Sequence, residues 1–149
     1  METEYKHTQF GALTFIIFIA AGILTAFIFM SMLAGGQLVV AFVVIGLYLL
    51  IVGLFYAFTV EISDGKLKFW FGIGWVGKSY PLKEIQSAQE VKNPWYYFWG
   101  VKSIPGGWLF AISPGSAVEI VFNNSKIVRL GSTQPNKLKQ AIDEAITIN

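Results

Sequence analysis

Few side chains in this chain could carry covalent chemistry. There is no Cys and a single His, His7, so no thiolate nucleophile or thiolate metal site is available. Nothing stands at metal-ligand spacing from His7. Ser113 and Ser116 have no His in their region to act as a base. Glu84 and Glu90 are carboxylates that no motif positions as an acid/base pair. Gly72-Ile73-Gly74-Trp75-Val76-Gly77 fits G-x-G-x-x-G letter by letter, but that motif needs a helix after it, whose N-terminus meets the pyrophosphate. Here Lys78-Ser79-Tyr80 follows and reads as a strand. Arg129 is the only Arg and sits in an alternating strand, where an ion-paired or solvated role is expected. The residue types point away from catalysis, from a bound metal and from any cofactor.

The conspicuous side chains are aromatic. Trp95-Tyr96-Tyr97-Phe98-Trp99 is an unbroken run of rings, and Trp75 stands alone in the Gly-rich loop. With Lys102 nearby, these seven are the candidate membrane-interface or binding residues. Trp and Tyr favour the membrane–water boundary, where one part of the ring is dry and another wet. The alternative is that the rings fill the interior of the fold. Five consecutive rings cannot all point inward.

The elements that must position them begin with two apolar runs, 10–33 and 38–58, which contain no Lys, Arg, Asp, Glu or His. As helices, each is long enough for the ~30 Å hydrocarbon core of a bilayer. Only Ala34-Gly35-Gly36-Gln37 separates them, so a helical hairpin crossing twice is expected. A cleaved signal peptide is disfavoured, because residues 1–9 are not positively charged and the apolar run exceeds a signal h-region. Ala21, Thr25, Gly22 and Ala26 in the first run, and Gly46 and Gly53 in the second, are small enough for close helix approach. They are expected to pack the hairpin against itself; a homo-oligomer face is the alternative. Lys6 precedes the first run, Lys66, Lys68, Lys78 and Lys83 follow the second, and the turn is uncharged. The positive-inside rule then places both termini in the cytoplasm of a multi-pass cell-membrane protein.

From Thr59 on, the chain carries ten Lys/Arg against seven Asp/Glu, too weak a bias for nucleic-acid binding. It reads as seven short strands: 58–63, 66–71, 76–82, 85–92, 108–112, 117–122 and 126–130. Asp64-Gly65 is a hairpin turn. Leu138, Ala141, Ile142, Ala145 and Ile146 then form the apolar stripe of a final helix, with Ser132 or Thr133 as cap and Pro135 in the first turn. In an up-down meander leaving the membrane at Phe58, Gly72–Gly77 and Trp95–Trp99 return to the membrane side. Asp64-Gly65 and Ser113–Ser116 lie at the far end.

Seven strands closed by one amphipathic helix, with Gly100, Gly106-Gly107-Trp108-Leu109-Phe110, Ala117-Val118-Glu119-Ile120 and Arg129-Leu130-Gly131-Ser132-Thr133 ahead of that helix, resemble the pleckstrin-homology-like (PH-like) fold. Two transmembrane helices before such a domain look like small bacterial membrane proteins with a PH-like domain. The resemblance implies a seven-stranded bent antiparallel sheet capped by a C-terminal helix over 59–149, a hairpin over 10–58 and a short cytoplasmic segment over 1–9. It also implies a non-enzymatic binding or scaffolding module that engages the bilayer and a protein partner. A lipid- or small-ligand-handling role for the aromatic loops is the alternative. The Asp64-Gly65 turn lacks the cluster of basic residues with which lipid-binding PH domains hold inositol phosphates.

Overall fold

A computed structural model describes residues 3–97 and 100–148. Strand β1 (Thr3–Gln9) comes first, then helices α1 (Ala12–Ala34) and α2 (Leu38–Phe55). Strands β2 (Phe58–Ser63), β3 (Lys66–Phe71), β4 (Val76–Pro81), β5 (Ile85–Lys92), β6 (Gly100–Ile104), β7 (Gly107–Ala111), β8 (Ser116–Phe122) and β9 (Ile127–Gly131) follow. Helix α3 (Pro135–Ile148) ends the described chain.

The two long helices differ from every other element in what they leave exposed. Thr14 is the only buried residue of α1, and Ala41 the only one of α2. At 1.5 Å per residue they span about 35 and 27 Å. Both are long and apolar enough to cross a membrane, and neither is the core of the sheets. The turn between them closes as expected: Gly36 takes φ 73°, and the Gln37 N–H reaches the Met32 carbonyl at 2.9 Å. The Tyr48 hydroxyl of α2 donates to the Phe18 carbonyl of α1 at 2.8 Å. Gly22 makes room for that ring, since a Cβ there would lie 2.6 Å from the Tyr48 oxygen. Gly46 and Gly53 do not share this role; nothing lies within 4 Å of where their Cβ would be.

The expected single seven-stranded sheet is corrected to nine strands in two sheets among the described residues. One has the order β1-β2-β3-β4 and the other β5-β8-β9-β7-β6. All seven expected strands are present; β1 and β6 are additional. The pairing is antiparallel except between β7 and β9, which run parallel from Gly107↔Ile127 to Phe110↔Leu130. The sheet is therefore not a simple meander. Asp64-Gly65 forms the predicted hairpin turn with φ 53° and 69°, as a two-residue turn of positive φ requires.

Of the expected N-terminal segment 1–9, residues 3–9 form part of the first sheet, because β1 pairs with β2 from Thr3↔Ser63 to Gln9↔Phe58. The strand escaped detection because its core-facing positions, Tyr5, His7 and Gln9, read as polar. Two of them serve hydrogen bonds instead of packing. His7 Nε2 lies 3.0 Å from Thr133 Oγ1. Gln9, buried, donates to the Gly131 carbonyl and accepts from the Thr133 N–H. β6 was hidden by its flanking Gly and Pro, yet Pro105-Gly106 supplies its turn, with Gly106 at φ 84°, as a type II turn demands.

The core lies between the sheets. Phe58, Val60, Ile62, Leu67, Phe69 and Phe71 from the first meet Phe110, Val118, Ile120, Val128 and Leu130 from the second. α3 adds Leu138, Ile142 and Ala145, one stripe at helical spacing, and packs on β5, β8, β1 and β2. The Ser132 hydroxyl accepts from the Gln134 N–H at 3.0 Å just ahead of it.

Candidate functional site: the end of the sheets that meets the helices

Two loops join the sheets to the helices through backbone atoms. The β3–β4 loop closes the C-terminus of α2: Gly72 N–H donates to the Ala57 carbonyl at 2.8 Å and Ile73 N–H to the Gly53 carbonyl at 3.2 Å. The last carbonyls of a helix lack intrahelical donors, and this loop supplies them. Gly72 is required there, at φ 46° with a hypothetical Cβ only 2.1 Å from Gly53 O. The second contact is to α1. Thr14 Oγ1 donates to the Ile112 carbonyl at 2.6 Å, and Gly11 lies so close to that oxygen that a Cβ would be 2.3 Å away.

The second contact corrects one expectation. Ser113–Ser116 follows Ile112 at the helix end, not the far end. The cause is β6, which adds one traverse of the sheet between the aromatic run and β7 and so reverses the parity of everything after it. Gly72–Gly77 lies at the helix end as expected. So does Trp95–Tyr97, because Asn93 N–H donates to the Gly115 carbonyl at 2.9 Å. After the Gly-rich loop comes β4, not a helix.

A strap, residues 93–97, leaves β5 at one edge of the second sheet, while β6 at the other edge begins at Gly100. Between those edges lies a row of small residues, Ala117 paired with Gly131, with Ala111 so close that a Cβ on Gly131 would lie 2.6 Å from its Cβ. At the start of the strap, Asn93 Oδ1 accepts from Arg129 Nη1 at 3.1 Å. Arg129 also pairs with Glu119 at 2.7 Å, and Gln89 donates to the other Glu119 oxygen at 2.9 Å. Arg129 is thus ion-paired, as its strand position suggested, and it fixes the strap.

The aromatic run splits into two roles. Tyr97 packs against the cluster of Ile104, Leu109 and Ala111. Lys102 secures it: its ammonium lies 5.6 Å from the Tyr97 ring centroid and donates to the Tyr96 carbonyl at 3.3 Å. Trp95 and Tyr96 face outward, 77% and 52% exposed, with their rings edge to face. Phe98 and Trp99 lie outside the described residues. On the neighbouring loop, Trp75 is 74% and Ile73 54% exposed. Phe10 and Tyr56, stacked with centroids 6.4 Å apart, flank the helix ends. Ile73 and Phe10 were not among the expected site residues, whereas Tyr56 was expected near the inner interface; their signal is position in a loop or helix end that returns to the apolar runs.

Glu84 and Glu90 sit near opposite ends of β5, with no contact that would make them a pair. Among the described residues no group of three His, Cys, Asp or Glu is placed to hold a metal ion. The arrangement can present rings to a non-aqueous surface; among the described residues it assembles no nucleophile with a base. Comparison with known protein families, curated proteins and solved structures finds no match.

Proposed function

We propose that this chain is a non-enzymatic, membrane-anchored PH-like module that recruits or assembles a protein partner at the cytoplasmic face of the cell membrane. The observation that carries the reading is the gathering of exposed Trp75, Ile73, Trp95 and Tyr96 at the end hydrogen-bonded to both apolar helices. Each ring withdrawn from water gains about 1.5–3 kcal/mol on area grounds, less the entropy of ordering its loop. With the loops also bonded to the helix ends, the sheets are held in one orientation and offer a partner one set of surfaces.

The PH-like assignment draws support from the strand order. β1 to β4 form one sheet, β5-β8-β9 an antiparallel meander, and α3 follows: seven strands and a helix. The helical hairpin is then an insertion between β1 and β2, and β6–β7 an insertion between β5 and β8. Orientation draws support from charge, since every Lys and Arg lies outside 10–58 and the positive side stays inside.

A reporter after Asn149 is expected to be cytoplasmic, and a tag at Gly35-Gly36 accessible from outside; the reverse result would overturn the orientation. Crosslinked capture from native membranes is expected to return a defined protein partner. A lipid retained through detergent exchange, with no protein, would replace this reading with lipid handling.

A further inference from the structure

α3 covers the side of the fold bounded by β1 and β5. On another side, β4 and β6 are edge strands, each hydrogen-bonded to a single neighbour among the described residues, β3 and β7. Between them lies a slot of about 200 Å³ lined by Val76, Gly77, Lys78, Val101, Trp108 and Phe110. A free edge presents a row of unpaired N–H and C=O groups, a template for an added strand.

Three features define what fits. First, β4 starts at the Gly72 loop and β6 at Gly100, opposite Ala111, so both run away from the helix end. One extended segment running toward the helices would be antiparallel to both and would join the two sheets. Second, Pro81 ends β4 and Pro105 follows β6, which limits the open stretch to about five residues of strand. Third, Lys78 stands opposite Phe69, on the core-facing side of β4 between Val76 and Tyr80, which pack against the core. It has no ion-pair or hydrogen-bond partner among the described residues. Lys78 is exposed at the open side of the slot, where a cation beside apolar lining offers a carboxylate a charge-assisted hydrogen bond. The slot is smaller than the 300 Å³ or more typical of small-molecule pockets, and a lipid chain cannot satisfy two rows of backbone groups.

We infer that the β4–β6 slot is the partner-binding surface and that it takes a short extended peptide segment with an acidic residue opposite Lys78. This rests on the partner-recruiting role proposed above and names its surface. The test uses the full chain in nanodiscs and three heptapeptide libraries, randomised except for a central Glu, Lys or Gln. The central-Glu library is expected to enrich at least tenfold over the others. The enriched peptides should lose at least tenfold in affinity when alternate backbone nitrogens are methylated, and should protect β4 and β6 amides from hydrogen exchange. Lys78→Glu should shift preference to the central-Lys library; Lys78→Gln, the milder change, should abolish the preference for Glu. No enrichment, indifference to N-methylation, or protection by anionic vesicles instead of peptide would each overturn the inference. A native partner captured equally by wild type and by Lys78→Glu would remove this surface but leave the recruiting role standing. Absence of both peptide and native partner would remove both.

Discussion

The two ends of the sheets are built from different residues. At the far end the connections are Asp64-Gly65, Leu82–Glu84, Pro105-Gly106 and Asn123–Lys126, polar or turn-forming, and the Asn123 side chain donates to the Lys83 carbonyl at 3.0 Å. At the helix end they are the Gly72–Gly77 loop, the aromatic strap and the Ile112–Ser116 turn. There, backbone groups go to the helices or to neighbouring turns, and large rings are left outside. A watery end satisfies its backbone with its own side chains and solvent. An end pressed on a membrane must do so internally, which frees its side chains to be apolar. The contrast separates rings that stabilise the fold, such as Tyr97, from rings that the fold merely displays, such as Trp75 and Trp95.

The largest expected effect comes from cutting the chain. A fragment beginning at Thr59 lacks β1 and exposes the edge of β2, so it should fail to fold or should aggregate. Gln9 and Phe58 are opposed in the β1–β2 register, so replacing residues 10–57 with Asn-Gly should close an ordinary hairpin and give a folded sheet unit without helices. Circular dichroism and thermal melting of the two proteins check this. A stable fragment from Thr59 would mean that β1 is dispensable.

A smaller effect compares one glycine from each end. Gly72 and Gly106 both have positive φ, but a Cβ on Gly72 meets Gly53 O at 2.1 Å while one on Gly106 meets the flexible Ile127 Cδ1 at 3.1 Å. Gly106→Ala should cost about 1 kcal/mol from backbone strain alone, and Gly72→Ala about 3 kcal/mol because helix backbone must also move. Denaturant unfolding in detergent measures the difference. Equal losses would mean that the α2 contact carries no energy.

The smallest concerns Glu61, on the outer face of the first sheet, where Ser63 donates a hydrogen bond at 2.9 Å and Lys6 lies 3.2 Å away. The Ser63 hydroxyl first, then Lys6 and Lys68, hold its carboxyl below the ordinary glutamate value. A lowered folded pKa contributes stability that is present above the unfolded value and lost as the pH falls through the folded one. Glu61→Gln should therefore flatten the acid limb of the melting-temperature profile and leave neutral pH within about 0.5 kcal/mol, the range for exposed pairs.

How much could be read in the sequence follows from these same residues. Apolar runs, alternating strands and the α3 stripe were legible because burial imposes a period on residue type. β1 was not, since Gln9 and His7 meet backbone and a hydroxyl instead of a core, and hydrogen-bonding positions carry no apolar period. The parallel β7–β9 pairing was not legible either; the closeness of small residues such as Gly131 and Ala111 is a three-dimensional fact. The candidate rings were legible as a group. Their division into packed Tyr97 and displayed Trp95 depends on the Lys102 and Asn93 contacts, which cross strands.

The central claim, that the displayed rings face lipid, is tested most directly by depth-dependent quenching. Full-length variants keeping only Trp75, only Trp95 or only Trp108, the other tryptophans replaced by Phe, would be placed in nanodiscs with lipids brominated near the headgroup. Trp75 and Trp95 should be blue-shifted and strongly quenched, while Trp108, near the far end at the start of β7, should not. Quenching of Trp75 and Trp95 no greater than that of Trp108 would contradict the account.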